Sequence, residues 1–146
     1  MDFIYNTCEN LECLTDIKHK GEAYDYTTNL INSCLGLIVF PYAKLHSNNL
    51  MPSTTLEVDY SAKYGNISIC RKGLWDEKSF EIIREHMYNA IVHGNMIQNI
   101  ESNKIVSIRF YDYDNEGILV FDALITPSQL RQLGLDIAHR YLHENR

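Results

Sequence analysis

Between Leu30 and Phe40 the chain carries apolar side chains on almost every side of a helix, and this run constrains the fold more than any other feature. Tyr26, Leu30, Cys34, Leu37 and Ile38 recur on one stripe of a predicted helix from Glu22 to Phe40, and Ile31, Leu35 and Val39 widen that stripe. A helix apolar nearly all round is buried on two sides, so this one is expected to lie between a core and a partner surface. Pro41 is expected to end it. Proline lacks the N–H that the helix needs and disfavours helical backbone in the residue before it. The longest continuous apolar stretch, Cys34 to Phe40, falls far short of the ~20 residues of a membrane span.

The remaining elements follow from periodicity and caps. Residues 2–19 read as a helix on Phe3, Leu11, Leu14 and Ile17, closed by Gly21. A third helix spans about Glu77 to His93. Asp76 is its N-cap, Trp75 staples onto Phe80, and Phe80, Ile83, Met87, Ala90 and Ile91 form its core stripe. Gly94-Asn95 stops it. Lys104 to Tyr111 alternates, Asp114-Asn115-Glu116-Gly117 turns, and Ile118 to Ile125 returns as a hairpin. Thr126-Pro127-Ser128-Gln129 is a capping box that opens a last helix to about His143, with Leu130, Leu133, Ile137 and Tyr141 as its stripe. Residues 42–74 show no sustained period. They read as a long ordered loop with one short strand at Ile67–Cys70, either a functional loop or a surface insertion. With no repeat and no boundary, the expectation is a single, mostly α domain over residues 1–146. Its architecture is a helical bundle with a β-hairpin inserted before the C-terminal helix.

Charge narrows the function. The 146 residues hold 13 Lys+Arg against 19 Asp+Glu, a net charge of −6. That argues against a free-standing nucleic-acid binder, which would carry a clustered basic face, but leaves room for a small local RNA site. Cys8, Cys13, Cys34 and Cys70 have neither redox-pair nor zinc-finger spacing, sit beside apolar residues, and read as buried reduced thiols of a cytoplasmic protein. The opening Met1-Asp2-Phe3-Ile4-Tyr5-Asn6 has no basic region, so no signal peptide is expected, and no membrane association.

The third helix carries Arg84-Glu85-His86-Met87-Tyr88-Asn89-Ala90-Ile91-Val92-His93-Gly94-Asn95. His86 and His93 lie roughly 10 Å apart along the axis, too far for one tetrahedral zinc ion. His86, Asn89 and His93 share a face opposite the core stripe, which reads either as solvated surface or as a site. Elsewhere, Phe110, Tyr111 and Tyr113 with Arg109 read as strand packing or as a base-stacking platform. His139 and His143 have metal-ligand spacing but also suit the negative end of a helix dipole. No phosphate loop, dinucleotide fingerprint or nucleophile elbow is present, and neither a cofactor nor a metal is expected.

Asn89-Ala90-Ile91-Val92-His93-Gly94-Asn95 resembles the motif of the HEPN superfamily (higher eukaryotes and prokaryotes nucleotide-binding domain). That motif joins an arginine, a polar residue and a histidine four to six residues beyond the arginine at a helix end. The run Asn29 to Pro41 resembles the buried helix of a plasmid- and phage-defence-associated branch. The resemblance implies an α-helical bundle that forms a homodimer through the second and third helices. For active members it implies metal-independent RNA cleavage, in which the ribose 2′-OH attacks the adjacent phosphorus. His93 would then be the general acid/base and Asn89 its orienting neighbour. The chain departs from the motif at Tyr88, which stands where the pattern has arginine, and Tyr88 or Arg84, one turn earlier, would be the phosphate contact. Two readings follow: a dimeric endoribonuclease or toxin-type effector, or a catalytically degenerate module that binds RNA or a protein partner. A helical dimerisation protein without ligand is the reading outside the family.

Overall fold

The computed structural model describes residues 4–9, 26–47, 61–70 and 80–144, and in it the apolar run becomes helix α1 (Tyr26–Ser47). α1 does not stop at Pro41. It continues through that residue for another turn and a half, although an interior proline costs ~3 kcal/mol through its missing N–H and ring clash. Buried Tyr42 supplies compensation by packing its ring on Tyr88 at 4.5 Å between centroids, so tertiary contact overrides the local signal. A short helix α2 (Ser61–Tyr64), helix α3 (Phe80–Val92) and helix α4 (Pro127–Glu144) follow, and residues 4–9 form a further helical segment. The rest of the predicted first helix, the Trp75–Asp76 cap and Cys13 lie outside the described residues.

The expected mostly α bundle is corrected to an α+β fold. Four strands, β1 (Asn66–Ile69), β2 (Met96–Glu101), β3 (Lys104–Tyr113) and β4 (Leu119–Ile125), make one antiparallel sheet in the order β1-β4-β3-β2. The hairpin is therefore the centre of a sheet and not an appendage. β2 lacked a sequence signal because nearly all its side chains are exposed, so no alternation marks it; it is an edge strand defined by backbone pairing to β3. β1 is the short strand expected at Ile67–Cys70, shifted by one residue and paired to β4.

One core joins the two layers. Leu30, Cys34 and Leu37 of α1, Ile83, Met87 and Ala90 of α3 and Leu130, Leu133 and Ile137 of α4 close on Ile108, Phe110, Phe121, Ala123 and Ile125 of the inner sheet face. Burial pushes the Cys34 thiol up to about 12 against the pull of Arg131, so it stays a protonated, inert core group. Of the described cysteines only Cys34 is buried; Cys8 and Cys70 are half-buried, against the expectation of buried thiols, and none of the three is in a disulfide. Among the described residues no helix is long and apolar enough to cross a membrane. α4 starts on the capping box: Thr126 N–H donates to Gln129 Oε1 at 2.9 Å and Gln129 N–H to Thr126 Oγ1 at 3.3 Å.

Gly65, between α2 and β1, has φ +102°, and a Cβ there would lie 2.5 Å from the Leu124 carbonyl oxygen. Gly65→Ala is expected to cost about 2–4 kcal/mol, read as a lowered urea midpoint; an unchanged midpoint contradicts this packing. Asp136 of α4 holds α2 in place. Burial alone would raise its pKa, but bonds from Lys63, Tyr64 and Gln132 outweigh that and leave it lowered. A depressed carboxyl stabilises the fold above its unfolded pKa of ~3.9 and loses that contribution as pH falls through the folded value. Asp136→Asn should therefore be less stable than wild type near neutrality, the gap narrowing as pH is lowered from 5 towards 2.

Candidate functional site

α3 buries Phe80, Ile83, Met87 and Ala90 as one stripe, and this fixes where every other side chain of the helix goes. At ~100° per residue, Arg84 and His93, nine positions apart, point in opposite directions around the helix. The structure agrees: the four candidate residues are split between two flanks and the helix end.

On the α1 flank lie Arg84 and Tyr88. Arg84 is only 3% exposed, with its guanidinium carbon 5.8 Å from the centre of the Tyr42 ring, and Tyr88 packs on the same ring. This geometry places a cation over an aromatic face in a dry interface. The Tyr42 hydroxyl is pushed up by burial first and by the Glu85 charge second, partly offset by Arg84, so it remains a neutral phenol.

On the sheet flank lie His86 and Asn89. His86 is buried, its ring stacked on Phe121 with centroids 5.2 Å apart and planes 14° from parallel. Its Nδ1 lies 2.8 Å from Oδ2 of Asp112 on β3. Asn89 Nδ2 donates to the same oxygen at 3.2 Å, and Oδ1 of Asp112 accepts the Tyr113 N–H at 3.0 Å. A carboxylate only accepts, so the Nδ1 of His86 carries the hydrogen and Nε2 is the other, unbonded nitrogen, buried with no partner in the described residues. The polar stripe is thus the joint between α3 and the sheet, and only its end is open.

That end is His93. Gly94 adopts φ +70°, its N–H donates to Ile91 O at 3.1 Å, and Asn95 N–H donates to Ala90 O at 2.8 Å. These two bonds are the Schellman closure that Gly94-Asn95 announces in the sequence. They set His93 at the C-cap, exposed, with its N–H bonded to the Asn89 carbonyl at 3.0 Å. Asn89 and His93 are brought together one turn apart; Arg84 and Tyr88 are not brought to them.

Sequence reasoning missed Asp112. The signal was in the hairpin, because Ile108, Phe110 and Asp112 share the inward phase of β3 and an acidic residue in that phase needs donors across the core. The aromatics of that hairpin divide. Phe110 is buried on the inner face, while Tyr111 and Tyr113 stand edge to face at 5.8 Å on the other. Arg109 lies 5.1 Å from the Tyr111 centroid but is already held by Asp122 through two bonds of 2.9 and 2.7 Å. His139 and His143 are exposed on α4, and among the described residues no three His, Cys, Asp or Glu side chains converge as a metal set would.

The family model described as HEPN pEK499 p136 matches the chain over residues 1–146. No curated protein and no solved structure matches it.

Removing the Asp112 carboxylate strands the buried His86 donor, which costs ~1–3 kcal/mol when left unmade, and releases the part-buried Asn89 and Tyr113 donors. Asp112→Ala is therefore expected to destabilise by about 2–4 kcal/mol. In a urea double-mutant cycle with His86→Phe the two losses should fail to add by about 1 kcal/mol or more. Strict additivity would contradict the bond.

Proposed function

The chain belongs to the HEPN pEK499 p136 family, and from that premise we propose that it is an RNA-binding HEPN domain that acts as a dimer and has lost all but slow cleavage. The observation that carries this reading is the burial of Arg84 under Tyr42. Arg84 is the one arginine or lysine within Phe80–Val92, and it lies on the flank opposite His93. Tyr88, in the place of the motif arginine, is neutral and packed in the same interface.

Attack of the 2′-OH builds negative charge on the phosphate, and a preorganised donor or cation aimed at that charge is the largest single source of acceleration. Loss of one such group costs ~10²–10³ in rate. His93 alone supplies proton transfer but nothing to hold the phosphate. With a net charge of −6 the RNA contact has to be local, which fits the exposed helix end around His93 and Asn89 better than any broad surface. Exposed Phe40 on α1 and Val92 on α3, the second and third predicted helices, support dimerisation through those two elements. A protein in place of RNA is the competing occupant.

The test is a mixed RNA pool in EDTA. Wild type should retard RNA at low salt and leave it intact. Tyr88→Arg combined with Arg84→Leu, which removes the neighbouring buried cation from the Tyr42 interface, should begin to cleave once circular dichroism shows it folded, and His93→Ala in that background should silence it. Cleavage by wild type that His93→Ala abolishes would restore the endoribonuclease and toxin-type reading, with the missing charge supplied by the second copy. No retention of RNA would remove the RNA reading altogether.

A further inference from the structure

The bonds around Asp112 determine which end of the Asn89 amide faces a ligand. A side-chain amide offers a donor at Nδ2 and an acceptor at Oδ1. Because a carboxylate can only accept, Asp112 captures the Nδ2 end at 3.2 Å. The carboxylate itself cannot swing away. Oδ2 also holds His86 at 2.8 Å, that ring is clamped on Phe121, and Oδ1 holds the Tyr113 N–H at 3.0 Å. Asp112 is 4% exposed, and breaking its bond to buried His86 leaves a polar group dry. The Oδ1 of Asn89 is therefore directed away from Asp112, and it has no hydrogen-bond partner among the described residues. Asn89 is half-buried and one turn below the exposed His93.

A fixed acceptor at this place discriminates between ligand groups. Phosphate oxygens are acceptors and gain nothing from it. A hydroxyl or an amino group does. In nucleic acid the donors are base amino and ring N–H groups, present in both RNA and DNA, and the ribose 2′-OH, found in RNA alone. We propose that Asp112 is a positioning residue that holds Asn89 as an acceptor for the ribose 2′-hydroxyl, so that the site selects RNA over DNA. The inference rests on the RNA-binding reading and adds to it the group recognised and the residue that enforces the choice. It does not depend on cleavage.

The experiment compares fluorescence anisotropy of matched RNA and 2′-deoxy oligonucleotides at low salt for the full chain, Asp112→Asn and Asn89→Ala. One neutral hydrogen bond is worth ~0.5–1.5 kcal/mol, so wild type should prefer RNA by about 2- to 12-fold. Asp112→Asn, which lets the amide turn over, should lower RNA affinity, leave DNA affinity in place and bring the ratio towards one. A merely structural loss would weaken both. Asn89→Ala keeps the His86 and Tyr113 bonds to Asp112, so it folds even where Asp112→Asn does not, and it should equalise the ratio in the same way. Equal binding of RNA and DNA by wild type leaves a nucleic-acid-binding domain but overturns the inference. A preference that survives both substitutions also overturns it. Failure of wild type to hold either oligonucleotide removes the functional reading, and the inference with it.

Discussion

The carboxylate of Asp112 is the constraint on which the placement of the motif helix depends. Burying an ionisable oxygen pair is costly unless each lone pair finds a donor, and here three donors from three residues converge on it. Two of them come from α3 and the third from the strand itself. α3 cannot rotate or slide on the sheet without breaking the buried His86 bond to this carboxylate. Apolar contacts of Ile83, Met87 and Ala90 supply most of the burial energy, but such contacts tolerate small shifts. A hydrogen-bonded carboxylate does not. The rotation that presents Asn89 and His93 at the open end is set by this polar bond, laid over a non-directional core.

Much of the fold was legible in the sequence where the signal was local. The cap at Thr126–Gln129, the stop at Gly94-Asn95 and the hairpin around Asp114–Gly117 all lie where their own side chains and turns demand. What was illegible is what distant packing decides. β2 exists because β3 offers an unpaired edge, and its exposed Gln98, Asn99 and Glu101 carry no trace of that. α1 passes Pro41 because Tyr42 finds Tyr88, forty-six positions further on. Both failures push one way, turning a sheet with helices on one side into an apparent bundle.

The site was half legible for the same reason. His86, Asn89 and His93 could be put on one helix face by counting residues, but what that face met could not. A polar stripe on a helix ordinarily faces water, and for two of the three residues the structure substitutes a carboxylate from a strand more than twenty positions away. The inward phase of β3 held the clue in Asp112. Reading it required asking where a buried acid would find its donors, a question posed by the strand and answered by the helix.

The two flanks of α3 also explain why the motif departs from its pattern at residue 88. Arg84 and position 88 are one turn apart on the flank that packs against α1, and both touch the Tyr42 ring. A second cation at 88 would sit beside a guanidinium already withdrawn from water, where like charges repel far more strongly than at a surface. A neutral aromatic at 88 relieves that repulsion and supplies the ring contact that carries α1 past Pro41. Arginine at 84 in a dry interface and arginine at 88 are therefore competing solutions for the same space. This chain has taken the first, and Tyr88 serves the packing that holds α1 against α3.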